Sequence, residues 1–141
     1  MTLRAVKPQH ETRTRILDAA EELFMQHGFE GTSMRLLTAK AGVNLAAVNY
    51  HFGSKHALVE AVFRRRLDPM NAARIAELEK LEAENPAPSP EAIIRAFITP
   101  GLRLMADAKD GRNFTRLLGR TYTEPNKLVR QLIGQMYAPA M

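Results

Sequence analysis

An amide, a phenol and an imidazole stand side by side in Asn49, Tyr50 and His51, just after the small aliphatic side chains of Leu45, Ala46 and Ala47. This set contains neither a nucleophile beside a base nor paired carboxylates, so catalysis is not its chemistry. Recognition is. An asparagine amide matches the edge of adenine bidentately, and Ala or Leu meets a thymine methyl. On so short a segment Leu45, Ala46, Ala47, Asn49, Tyr50 and His51 cannot all face a core, whereas Val48 and Phe52, four apart, make the inward pair of a helix. The remaining face is small, polar and aromatic, and suits a polar surface that the backbone approaches closely. The major groove of DNA is such a surface.

The flanking residues position that helix. Gly42 can take the left-handed conformation that closes a preceding helix, and Asn44 can cap the next one. Upstream, Thr32 and Ser33 are N-cap types, and Leu36, Leu37 and Ala41 predict the buried side of a short helix. Two short helices around a glycine turn, behind a longer first helix, form a helix-turn-helix. Thr32, Ser33 and Arg35 stand at the start of its first helix, where free N–H groups favour a phosphate. The longer helix is predicted from about Glu11 to His27 by Ile16, Leu17, Ala20, Leu23 and Phe24, and Gly28 stops it. Arg13 and Arg15 near its start oppose the helix dipole and are left for solvent or an anionic partner. Residues 1–10 read as a basic arm carrying Arg4 and Lys7.

Downstream, Ser54 caps a long connecting helix that buries Leu58, Val59, Val62 and Phe63, with Arg64, Arg65 and Arg66 on its solvated face. Pro69 is expected to kink or end it. Asn85 to Pro90 is a break, and Ser89, Pro90 and Glu91 start a new helix whose buried side should be Ile93, Ile94, Phe97 and Ile98. Pro100 and Gly101 should interrupt it before Leu102, Leu104 and Met105. Phe114, Leu117, Leu118 and Tyr122 mark another helix, and Leu128, Leu132, Ile133 and Met136 the last. The fold class is all-α, with a three-helix head over residues 1–53 and a helical body over residues 54–141.

With 141 residues and 45% apolar content the chain has enough material for a helical core. Residues 1–66 carry ten basic and six acidic side chains against ten and nine in the remainder, so most of the +5 net charge sits in that N-terminal part. Cysteine is absent, and His10, His27, His51 and His56 have no metal-ligand spacing, so neither metal nor cofactor is expected. No apolar run approaches the roughly 20 residues that span a bilayer. A soluble cytoplasmic protein without enzymatic activity is expected.

The runs Gly28-Phe29-Glu30-Gly31-Thr32-Ser33-Met34-Arg35, Ala41-Gly42-Val43 and Tyr50-His51-Phe52-Gly53-Ser54-Lys55-His56-Ala57-Leu58 closely resemble the DNA-binding head of TetR-type transcriptional regulators. The resemblance covers about Glu11 to Phe63. It implies that Leu45, Ala46, Ala47 and Asn49, behind the cap Asn44, face base edges, and that Tyr50, His51 and Lys55 hold the phosphate backbone beside Thr32, Ser33 and Arg35. It further implies a homodimeric repressor of a double-stranded operator, released by a small apolar effector bound in the body, for which Phe97, Met105, Leu118 and Tyr122 are candidate pocket residues. The run from Asn44 to Phe52, taken with Arg116-Leu117-Leu118-Gly119-Arg120, is similar to a subgroup responding to fatty acids or acyl derivatives, with Arg116 or Arg120 available to a carboxylate. Against the family pattern the reading helix is short of charge, and the chain stops before two further helices that build the family's dimer interface. A C-terminally short chain is therefore expected. The competing reading is a helical protein-interaction module that does not bind DNA.

Overall fold

The structure is a computed structural model in which residues 8–107, 111–123 and 126–138 are described. They form seven α-helices and, among the described residues, no strand, so the protein is all-α. The chain divides into two compact units, Met1–Val62 and Phe63–Met141.

The first unit holds α1 (Pro8–His27), α2 (Met34–Ala41), α3 (Leu45–Phe52) and the first turns of α4 (Lys55–Glu84). Ile16, Leu17, Ala20, Leu23 and Phe24 of α1 are buried, as are Leu37, Val48, Leu58, Val59 and Val62, and together they form this unit's core. Each large aliphatic or aromatic side chain so buried stabilises the fold by about 1.5–3 kcal/mol relative to exposure. The first helix starts at Pro8, a turn earlier than expected. Proline in a first turn has no N–H to lose and a φ already suited to helix, and the Thr12 hydroxyl donates to Pro8 O at 3.0 Å. Pro8, Gln9 and His10 thus belong to α1 and not to an arm, while Arg4 and Lys7 lie outside the described residues. Leu36, expected inside, is exposed.

The second unit contains the rest of α4 with α5 (Pro90–Ala106), α6 (Gly111–Thr123) and α7 (Lys127–Tyr137). Its core includes Phe63, Leu67, Phe114, Leu117, Val129, Leu132, Ile133 and Met136. Phe63 meets Phe114 edge to face, with centroids 5.9 Å apart. Leu128, expected among these side chains, lies outside those described.

Of the two proline expectations, Pro69 does not end its helix, and the interruption at Pro100 and Gly101 fails. Helix α4 continues through Pro69, and α5 continues through Pro100 and Gly101. A helical proline forfeits one backbone hydrogen bond and strains one turn, at about 3 kcal/mol. Burial of Leu67 and Met70 around Pro69, and of Pro100 itself, offsets that cost. Gly101 allows α5 close to α4, because a Cβ there would stand 3.2 Å from Arg74 Nη2 and 3.7 Å from Met70 Sδ.

The expected buried side of α5 is also wrong. Ile93, Ile94 and Ile98 are exposed and Phe97 is half-buried. Phe97, Pro100, Gly101 and Leu104 form the inward side instead, and Ile94, Ile98, Leu102 and Met105 make an exposed apolar stripe. Helical period says which residues share a face; it does not say which face acquires a neighbour.

Candidate nucleic-acid interface and body cavity

The ends of α2 and α3 are set by side chains close in sequence. Ser33 Oγ accepts from Leu36 N at 3.1 Å, and Asn44 Oδ1 accepts from Ala47 N at 2.8 Å. Between the helices Gly42 adopts φ 66°, and its N–H closes α2 onto Ala39 O. The turn is clamped from outside, because Arg15 Nη2 donates to Ala41 O at 2.7 Å and to Gly42 O at 3.0 Å. Arg15 therefore serves the C-terminal carbonyls of α2, a position where a cation also complements the helix dipole. The positive φ requires glycine at 42, and a Cβ there would fall 2.9 Å from that nitrogen and push the end of Arg15 off the turn.

Helix α3 buries Val48 and half-buries Phe52, with the Arg13 guanidinium 5.2 Å from the Phe52 ring centroid. With about 100° per residue, Leu45, Ala46, Asn49 and Tyr50 share one face, and all four are exposed, Tyr50 at 74%. Ala47 and His51 lie around the helix from that face and are half-buried. His51 packs edge-on to Tyr50, with centroids 5.1 Å apart. The structure thus gathers four of the six α3 candidates on one exposed face.

The flanking candidates differ in kind. Ser33, Arg35 and Asn44 are exposed, Ser33 and Asn44 with an oxygen already engaged as a cap. Thr32 is a correction. It is 1% exposed, and its single hydroxyl proton is directed to Gly28 O at 2.8 Å and Leu23 O at 3.2 Å, tying the loop to α1. It does not face a ligand. Lys55 is half-buried with Nζ 4.8 Å from the Phe29 centroid. Burial lowers its pKa below the ordinary lysine value, and the nearby Glu30 carboxylate opposes that shift.

In the body, Met105 and Leu118 line a cavity of about 60 Å³ together with Leu67, Met70, Arg74 and Gly101, among others. Phe97 lies beneath the Arg74 guanidinium, 4.5 Å from centroid to Cζ. Tyr122 is 69% exposed and Arg116 is exposed, and neither lines the cavity, nor does Arg120. Asn71 and Arg74, both 7% exposed, were not anticipated as buried. Their signal was the helical spacing of Leu67, Met70, Asn71 and Arg74, which continues the apolar stripe of α4 into polar residues. A larger groove, about 580 Å³, is lined by Glu77, Lys80, Glu84, Glu91, Arg95 and Arg103 with others, a mixture of charges that an apolar ligand would not choose.

Residues 16–62 match the family model described as bacterial regulatory proteins, tetR family, and residues 95–141 match a tetracyclin repressor-like C-terminal domain. The HTH-type transcriptional regulator UidR of Escherichia coli (strain K12) is 41% identical over 51 residues, which are 36% of this chain and 26% of UidR. The HTH-type transcriptional repressor AcnR of Corynebacterium glutamicum is 35% identical over 78 residues, 55% of this chain and 39% of AcnR. These relatives are named as regulators, not as enzymes. Among solved structures, a transcription regulator assigned to the tetR family from Shewanella sp. PV-4 has TM-score 0.61 at 21% identity, covering 89% of this chain and 61% of that one. A transcriptional regulator from Pseudomonas aeruginosa PAO1 has TM-score 0.63 at 18% identity, covering 96% and 61%. At those identities the likeness is one of fold. The chain spans less than half the length of these two curated relatives.

Proposed function

This chain belongs to the TetR family of bacterial regulators, and from that membership we propose that it works as a sequence-specific repressor of transcription, dimeric on its operator and released by a small apolar effector of fatty-acid or acyl type. The observation that carries the DNA-binding part is the exposed face of α3. Leu45, Ala46, Asn49 and Tyr50 point outward from a short helix capped by Asn44 and closed by Gly53. Such a face offers apolar contact to thymine methyls and an amide to adenine, with Tyr50, His51 and Lys55 on the phosphates and Ser33 and Arg35 at the start of α2. Having no arginine for guanine, this helix reads sequence through apolar contact and DNA shape. Two such heads meet a palindrome when set about one helical turn apart, roughly 34–36 Å. Effector and operator then oppose each other by preferring different spacings of the paired heads.

The test is fluorescence anisotropy against duplexes enriched from a random pool. Enriched duplexes should bind well above random ones, with affinity falling steeply as salt rises. Tyr50→Ala and Lys55→Ala should each weaken binding about tenfold, the scale of a hydrogen bond to a charged group. An enriched pool indistinguishable from random DNA would end the proposal. The exposed stripe Ile94, Ile98, Leu102 and Met105 favours the competing reading, a protein-interaction module, and that reading predicts no salt-dependent duplex binding at all.

A further inference from the structure

Resting on the reading that the head binds duplex DNA, we propose that Arg13 is a further phosphate contact, held by the ring of Phe52 on the flank of α3 away from Tyr50. Arg13 and Arg15 stand two apart on α1 and look alike in sequence, yet the fold uses them differently. The Arg15 guanidinium is engaged within the protein, on Ala41 O at 2.7 Å and Gly42 O at 3.0 Å. Arg13 is exposed, its guanidinium carbon lies 5.2 Å from the Phe52 ring centroid, and among the described residues that guanidinium makes no hydrogen bond or ion pair. A ring attracts such a cation through its π face and takes up none of its N–H donors. The donors of Arg13 therefore stay available to an anion, while Phe52 restricts where they can be.

Phe52 decides which side of the reading helix that is. At about 100° per residue, Phe52 stands within about 60° of Leu45 and Asn49 round the helix, at the edge of the exposed face, whereas Tyr50 lies about 160° away from it. A helix laid in the major groove, about 12 Å wide, has a phosphate backbone on either side. Tyr50 meets one of them. On the other flank α3 itself carries Leu45, Val48 and Phe52, none of them charged or polar. A cation for that second backbone has to come from another helix, and Arg13 of α1 brings it to the Phe52 edge. A guanidinium pairs with a phosphate through two parallel N–H bonds, and a ring that restricts its rotamers lowers the entropy lost on pairing. The reading helix, short of charge in its own sequence, thus borrows one from α1.

Fluorescence anisotropy of the whole chain on an enriched duplex and on a random one, across a range of salt, tests this. Arg13→Gln keeps much of the length and removes the charge. It should weaken binding to both duplexes about tenfold, the scale of a hydrogen bond to a charged group, and should reduce the slope of log affinity against log salt by about 0.9 for each head on the DNA. Arg13→Lys should restore the slope, since lysine also neutralises a phosphate, but only part of the affinity, since it lacks the planar fork. Because Arg13 is exposed, the thermal midpoint should hardly move in either variant. Phe52→Leu should weaken binding in the parent chain and have less effect in the Arg13→Gln background, the coupling expected of a positioning ring. An unchanged salt slope in Arg13→Gln overturns the assignment, as does a loss confined to the enriched duplex, which would make Arg13 a reader of bases. Equal effects of Phe52→Leu in both backgrounds overturn the positioning role. If Arg13→Gln binds like the parent while Tyr50→Ala does not, the Arg13 assignment falls and the DNA reading stands. If the unaltered chain shows no salt-dependent duplex binding, the DNA reading falls and Arg13 falls with it.

Discussion

Helix α3 in the head shows solvent Leu45, Ala46, Asn49 and Tyr50, whereas α5 in the body shows it Ile94, Ile98, Leu102 and Met105. Both helices bury only part of themselves, but they are held differently. The eight residues of α3 are bounded by Asn44 and Gly53, caps that act within a few residues, and its one fully buried side chain is Val48. The seventeen residues of α5 run through a proline, and contacts far along the chain hold them: Gly101 against Met70 and Arg74, and Phe97 under the Arg74 guanidinium. A short helix fixed at its ends can present an outer face chosen for a partner. A long helix fixed by its inner face leaves its outer face to whatever packs there. Local chemistry sets the ends of α3, whereas packing between distant segments sets the course of α5.

The largest effect should come from the body's aromatic contact. Phe114→Ala removes a ring that is 1% exposed and edge-on to Phe63, and should cost about 3–5 kcal/mol in urea unfolding. A cost below 1 kcal/mol would mean that packing does not hold the body. Next is the turn of the head. Gly42→Ala should cost about 1–2 kcal/mol for the positive φ alone, with more from crowding against Arg15. In an Arg15→Ala background the crowding part should vanish, so a double-mutant cycle measures the clamp directly. Additive costs would show that Arg15 does not brace the turn.

Loss of a cap is smaller. Asn44→Ala should destabilise the head by about 1 kcal/mol, read from the thermal midpoint. Below that lies Lys55. Burial disfavours its charged form, so between its lowered folded pKa and the ordinary lysine value the unfolded chain holds more protons. Stability should therefore rise slightly with pH in that alkaline window, and the rise should be absent in Lys55→Gln; a slope of the opposite sign would reverse the assignment of burial as the cause. The smallest effect is Ile98→Gln on the exposed stripe, expected within about 0.5 kcal/mol. A larger loss, accompanied by a change in sedimentation, would reveal that something covers α5 in solution.

Much of this architecture could be read directly from residue order. The short helices of the head, the caps Ser33, Asn44 and Ser89, the stops Gly28 and Gly42 and the periodic apolar stripe of α1 all depend on interactions spanning four residues or fewer, which is the range over which a sequence states its own geometry. Period set Val48 and Phe52 inward and left Leu45, Ala46, Ala47, Asn49, Tyr50 and His51 outward together; that Ala47 and His51 turn partly away came only from the structure. Thr32 was not legible. As a cap type beside another cap, its fate was decided by whether Leu23 O and Gly28 O came within reach.

Tertiary structure alone decided the body. Pro69 and Pro100 have a local cost visible in sequence, but the burial that offsets it comes from other helices. The apolar residues of α5 were divided into inner and outer by where α4 passes, and Arg74 became a buried cation because Phe97 and Asn71 arrive beside it. Sequence determines what each short segment would prefer by itself, since caps, turns and periodicity are local free energies. Which preferences survive, and which face finds a neighbour, depends on contacts between residues 20 or more positions apart, such as Arg15 with Ala41, Arg74 with Phe97 and Asn71 with Met136.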